Sequence, residues 1–107
     1  MSLRTPRSLS TSTRFETGPS ALEAEIAQER ALALGRVGRE VETALGRLKA
    51  LAPNAPERHR FVAAAADAAW RFFIQREACG LFDHDQAIAD YAIPREVLAR
   101  VGARESR

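Results

Sequence analysis

Four side chains of metal-ligand or nucleophile type fall within seven residues, Cys79, Asp83, His84 and Asp85, and His59 is the only other histidine. A closed zinc site needs four ligands at regular spacing, and no second CxxC or HxxxH accompanies this run. Nucleophilic catalysis at Cys79 would need an oriented base and donors for a developing oxyanion. His84 lies five residues on, across Gly80, with nothing in the sequence to aim it. Asp83 is better placed as a helix cap, and Cys79 as a buried thiol at a helix end. The acids Glu23, Glu25, Glu29, Glu40 and Glu42 lack the Glu-x-x-His partner of di-iron bundles. No glycine-rich phosphate loop is present, because Gly35 and Gly38 fall inside a helical pattern. The expectation is a chain that is not an enzyme, with no catalytic residue, cofactor or metal.

A second chemistry is DNA reading by "HDQAIADYAIPREVLARVG", residues 84–102, which has the outline of a helix-turn-helix. With Ala92 at the corner, Ile93, Leu98 and Val101 take the apolar positions. Ile88 is the misfit, since the residue four before the corner faces the second helix closely and should be small. Arg95 and Arg100 would be the DNA contacts, with Glu96 unfavourably near the phosphates. Two short helices closing a core, with Ile88, Tyr91, Val97 and Leu98 inward, are the preferred reading.

The elements that position these residues are helical. With 107 residues the chain has room for one domain. It holds 21 Ala and 15 Arg but only one Lys, and both abundant types favour helix. Arg4, Arg7 and Arg14 against Glu16 supply the whole net charge of +2, so residues 20–107 balance. The basic character therefore belongs to a Ser/Thr/Arg-rich tail over residues 1–19, expected to be disordered, and nucleic acid is not the expected partner. That tail has no apolar core of a secretory signal, though organelle transit peptides share its composition. No apolar run approaches the roughly 18 residues of a membrane span, and one cysteine allows no internal disulfide. A reducing, cytoplasmic setting is expected.

Ser20 and Glu23 form a capping box for a helix running to about Leu51. Leu34, Val37, Val41, Ala44, Leu48 and Leu51 make a heptad seam along it. Gly35, Gly38 and Gly46 interrupt it, each costing about 1 kcal/mol relative to Ala; a close approach by a backbone or a ring is the preferred reading, a bend the alternative. Asn54, Pro56 and Glu57 start a second helix over about 55–79, stopped by Gly80. Phe61, Trp70, Phe72, Phe73 and the intervening Ala and Val spread over an arc too wide for one neighbour, making this the central helix. Asp83 and Gln86 cap a short third helix ending near Tyr91. Pro94 opens a fourth that ends at Gly102, with residues 104–107 frayed.

The stretches "ALEAEI…ALALGRVGREVETAL", "AWRFFIQREACGL" and "DYAIPREVLARVG" resemble an uncharacterised family of short bacterial all-helical proteins, a domain of unknown function, over about residues 20–103. The resemblance implies an all-α fold, a cytoplasmic setting and no assigned chemistry. The residues themselves predict an all-α domain over 20–103: a long antiparallel helical hairpin with two short C-terminal helices packed across it. Leu22, Ile26, Leu32 and Leu45 fall partly off the seam, and apolar surface left open marks partner interfaces. The expected function is a small non-catalytic structural or protein-interaction module, acting as a homo-oligomer with the dimer favoured. Its candidate interface or core residues are Leu34, Val37, Val41, Leu48, Phe61, Trp70, Phe72 and Phe73.

Overall fold

The structure, a computed structural model, describes residues 17–105. Among these are four α-helices and no strand: α1 (Thr17–Lys49), α2 (Arg58–Ala78), α3 (Asp85–Tyr91) and α4 (Arg95–Glu105). The chain is all-α, as the composition and periodicity predict. Helix α2 is the centre, packing along α1 on one side and α4 on the other. It buries Val62, Ala65, Ala66, Ala68, Ala69, Phe72 and Phe73. Four of those seven are alanines, and small side chains let two neighbouring helices come close to one axis.

The heptad seam of α1 faces this core. Val41 and Leu48 are buried, and Leu34, Val37 and Ala44 are half-buried against them. From the other side come Ala87 of α3, Ile93 of the corner, and Val97 and Val101 of α4. Val41 and Val97 are fully enclosed, one on each flank of α2.

Two turns use the left-handed backbone. Gly80 has φ +84° and ends α2, with the Leu81 N–H donating to the Arg76 carbonyl at 2.9 Å. Ala92 has φ 51° between α3 and α4, and there the Ile93 N–H donates to the Ile88 carbonyl at 3.1 Å. The same wrap is thus made once by glycine and once by alanine, which bears a small steric cost.

Several element ends differ from the sequence reading. Helix α1 already includes Thr17–Pro19, so Ser20 lies inside it and is no cap. Pro19 sacrifices no bond there, since first-turn N–H groups have no helical partner. The rest of the predicted tail, residues 1–16, lies outside the described residues. Helix α2 begins at Arg58, three residues later than Ala55, with no side-chain cap at Glu57. The intervening residues form tight turns, with Ala55 N–H bonded to Ala52 and Arg58 N–H to Ala55. The N-cap of α3 is His84, which makes no side-chain cap bond; Asp83, one residue earlier, accepts the Asp85 N–H at 3.0 Å, and Gln86 bonds Asp90. Helix α4 continues past Gly102 to Glu105 because its last turn has partners: Arg104 bonds Asp67 and covers the Trp70 ring.

Candidate interaction surfaces

The run of ligand-type residues after α2 is put to structural use. The His84 ring stacks on Phe73, with centroids 4.6 Å apart and planes 19° from parallel. Arg76 Nε–H donates to His84 Nδ1 at 3.0 Å, which leaves the ring proton on Nε2, 3.0 Å from a Glu77 carboxylate oxygen. A second Arg76 nitrogen holds the Asp83 carbonyl at 2.7 Å. Cys79 is half-buried rather than enclosed, and its thiol lies 3.6 Å from the Arg30 carbonyl of α1. Among the described residues, no three His, Cys, Asp or Glu side chains stand close enough to hold a metal ion. The cluster ties the α2–α3 turn to Phe73; sequence spacing shows the residues but not that aromatic partner.

A groove of about 520 Å³ runs along one flank of the α1–α2 pair. Arg36, Arg39, Glu40, Thr43 and Arg47 line it from α1, and Ala64, Asp67, Ala68 and Arg71 from α2. Arg71 bridges Asp67 and Glu40, and Asp67 also takes Arg104 from α4. Partial burial pushes the Asp67 carboxyl up, but Arg104 and Arg71 outweigh it and hold its pKa below the ordinary 3.8. Burial likewise pulls Arg71 down, and its bonds to Glu40 and Asp67 more than restore it, leaving its pKa raised. The groove acids are therefore consumed by Arg71 and Arg104. Arg36, Arg39 and Arg47 form no ion pair among the described residues, and the groove is left positive.

At the opposite end, α1 outruns its partners. Gln75 and Cys79, near the end of α2, both reach the Arg30 carbonyl, which marks where α1 passes the end of α2. Every residue from Ser20 to Leu32 is exposed. Leu22 keeps 57%, Ile26 41% and Leu32 53% of its surface in contact with solvent. Close by, Gly80 shares a shallow depression with Ala27, Arg30 and Ala31. Just beyond it Leu81 is exposed, and Phe82 keeps 73% of its surface in solvent.

The residues singled out in the sequence divide between core and flank. Val41, Leu48, Phe72 and Phe73 are core, and Leu34, Val37, Phe61 and Trp70 are half-buried at its edge. Phe72 meets Tyr91 with ring centroids 5.0 Å apart, and Trp70 lies under the Arg104 guanidinium at 4.2 Å. Arg95 and Arg100 of α4 are both exposed, and Arg100 opens on a shallow groove with Asp67 and Arg104. Their neighbour Glu96 is bonded to Arg58 at the start of α2. The glycine reading holds at one position. A side chain at Gly38 would start 2.7 Å from the Tyr91 hydroxyl, whereas Gly46 faces open space.

A family model described as a family of unknown function, DUF6665, matches residues 1–107. No curated protein and no solved structure matches the chain.

Proposed function

Because the chain belongs to the DUF6665 family, whose description assigns no activity, its role has to be read from its surfaces, and we propose that it is a small non-catalytic interaction module that works as a homo-oligomer, most simply a dimer. The overhang of α1 carries this reading. A helix segment that buries nothing gains no tertiary support, and short isolated helices are marginal in water. Here such a segment holds Leu22 and Ile26 open to solvent. A partner surface supplies the burial that the chain's own fold does not. With Cys79 as the only cysteine, no disulfide is needed within the fold, which suits a reducing, cytoplasmic setting.

The test is the solution mass of the full chain by gel filtration with light scattering, across a range of concentrations. The reading expects about twice 11.8 kDa. A monomer at every concentration overturns it. Among the described residues no helix is long and apolar enough to cross a membrane, so the exposed leucines call for a partner rather than a bilayer core.

A second reading, DNA binding through α3 and α4, is favoured by one observation. Arg58 neutralises Glu96, the acid that would otherwise oppose phosphates beside Arg95 and Arg100. It expects duplex binding that weakens steeply with salt and is lost in the Arg95→Ala/Arg100→Ala variant. Binding unchanged in that variant would assign the attraction to other basic residues.

A further inference from the structure

The acidic, apolar overhang of α1 and the basic groove beside α2 lie on one stripe of the same helix. At 100° per residue, Leu22, Glu25, Ile26 and Glu29 fall within an arc of roughly 100°. Arg36, Glu40, Thr43, Ala44 and Arg47 fall in that same arc, about two to seven turns further on. The N-terminal half of the stripe therefore carries exposed apolar and acidic groups. The C-terminal half opens on the groove, whose own acids are already paired with Arg71 and Arg104.

We infer that the occupant of this groove is the α1 overhang of a second copy, in a two-fold antiparallel dimer centred near Ala33. The inference rests on the homo-oligomer reading and gives it a geometry. Reversing one α1 against another about Ala33 sets Leu22 over Ala44, beside Ala64 and Ala68 of α2. The same register carries Glu29 over Val37, one residue from Arg36, and Glu25 over Val41, two residues from Arg39. The contact is self-complementary, so each protomer gives one overhang and receives one. Leu22 has small alanines to rest against, and the acids lie beside arginines that no other described side chain neutralises. The register also requires antiparallel α1 helices, because a parallel pair would set acid against acid and arginine against arginine.

The test is a charge swap on the full chain, with helix content checked by circular dichroism. Glu25→Arg/Glu29→Arg and Arg36→Glu/Arg39→Glu change exposed positions, so both variants should fold. Each alone should run at half the wild-type mass, and an equimolar mixture should regain the wild-type mass. If wild type is a dimer and both variants keep its mass, the homo-oligomer reading stands and this interface is overturned. Failure of the mixture to reassociate, after each variant alone has become monomeric, also overturns the pairing. A wild-type monomer overturns the reading itself, and with it the inference. In that case, retention of wild type by an immobilised DNA duplex that the Arg36→Glu/Arg39→Glu variant fails to bind would assign the groove to a phosphate backbone.

Discussion

The Tyr91 hydroxyl occupies the space where a side chain at Gly38 would begin. The distance from an ideal Cβ is 2.7 Å, while Phe72 and the rest of the Tyr91 ring stand at 3.6 and 3.7 Å. Gly38 is therefore the notch in α1 through which α3 reaches the core, because Tyr91 ends α3 and packs at a tilt against Phe72. Gly38→Ala should gain about 1 kcal/mol in helix propensity. It should lose more by displacing the ring, since overpacking costs about 1–3 kcal/mol. Tyr91→Phe removes the obstructing atom. Chemical denaturation of the four-member cycle should show Gly38→Ala destabilising with Tyr91 present and stabilising with Phe in its place. Gly46→Ala, facing open space, should stabilise on its own.

How much of this was legible beforehand depends on the range of the interaction. The heptad seam through Val41 and Leu48, the central position of α2 and the Gly80 stop are local patterns, and periodicity exposes them. Gly35, Gly38 and Gly46 look alike in sequence, yet of these only Gly38 is crowded, because Tyr91 lies far along the chain. The groove was hidden for the same reason. Nothing local in the sequence sets Arg36, Arg39 and Arg47 apart; it is the fold that brings Asp67 and Arg71 of α2 beside them. The chemistry-bearing run after α2 drew attention by residue type, but the partner that fixes His84 is an aromatic ring, which no ligand pattern includes.

Asp67 receives Arg71 from its own helix and Arg104 from α4, and together they hold its pKa below 3.8 against the pull of burial. A carboxyl whose pKa is depressed in the folded state stabilises the fold fully above its unfolded pKa. That contribution fades as pH falls through the folded value. The window is therefore acidic, below about pH 4. Thermal melts of wild type and Asp67→Asn should differ most at neutral pH and converge as pH falls towards about 2. A gap that stays constant across that range would mean that Asp67 acts through packing rather than charge.

The sequence offers Trp70 as a candidate core residue. In the fold it is half-buried, with the Arg104 guanidinium 4.2 Å above its ring. Truncation should cost about 1–3 kcal/mol, most of it lost apolar contact with a smaller cation–π part. Phe72→Ala, at a buried position between Phe73 and Tyr91, should cost more, about 3–5 kcal/mol. Trp70 is the only tryptophan. Its fluorescence should shift on Arg104→Ala if the last turn of α4 stays docked through that contact. Equal losses for Trp70→Ala and Phe72→Ala would contradict this ordering.

His84 links three partners from one turn of α2: the Phe73 ring, the Arg76 side chain and the Glu77 carboxylate. Replacing it with Ala removes a stacking contact and leaves the part-buried Arg76 side chain, among the described residues, with the Asp83 carbonyl as its one remaining hydrogen-bond partner. The loss should be about 1–3 kcal/mol, the range for a stacked ring together with a charge-assisted bond. In a domain of this size that lowers Tm by about 4–8 °C per kcal/mol. Added zinc separates this role from metal ligation. A ligand set built on Cys79, Asp83 and His84 would raise Tm in the wild type and lose that rise in His84→Ala. The packing role predicts a Tm drop in the variant with no response to zinc in either protein, and a zinc-dependent rise confined to wild type would refute it.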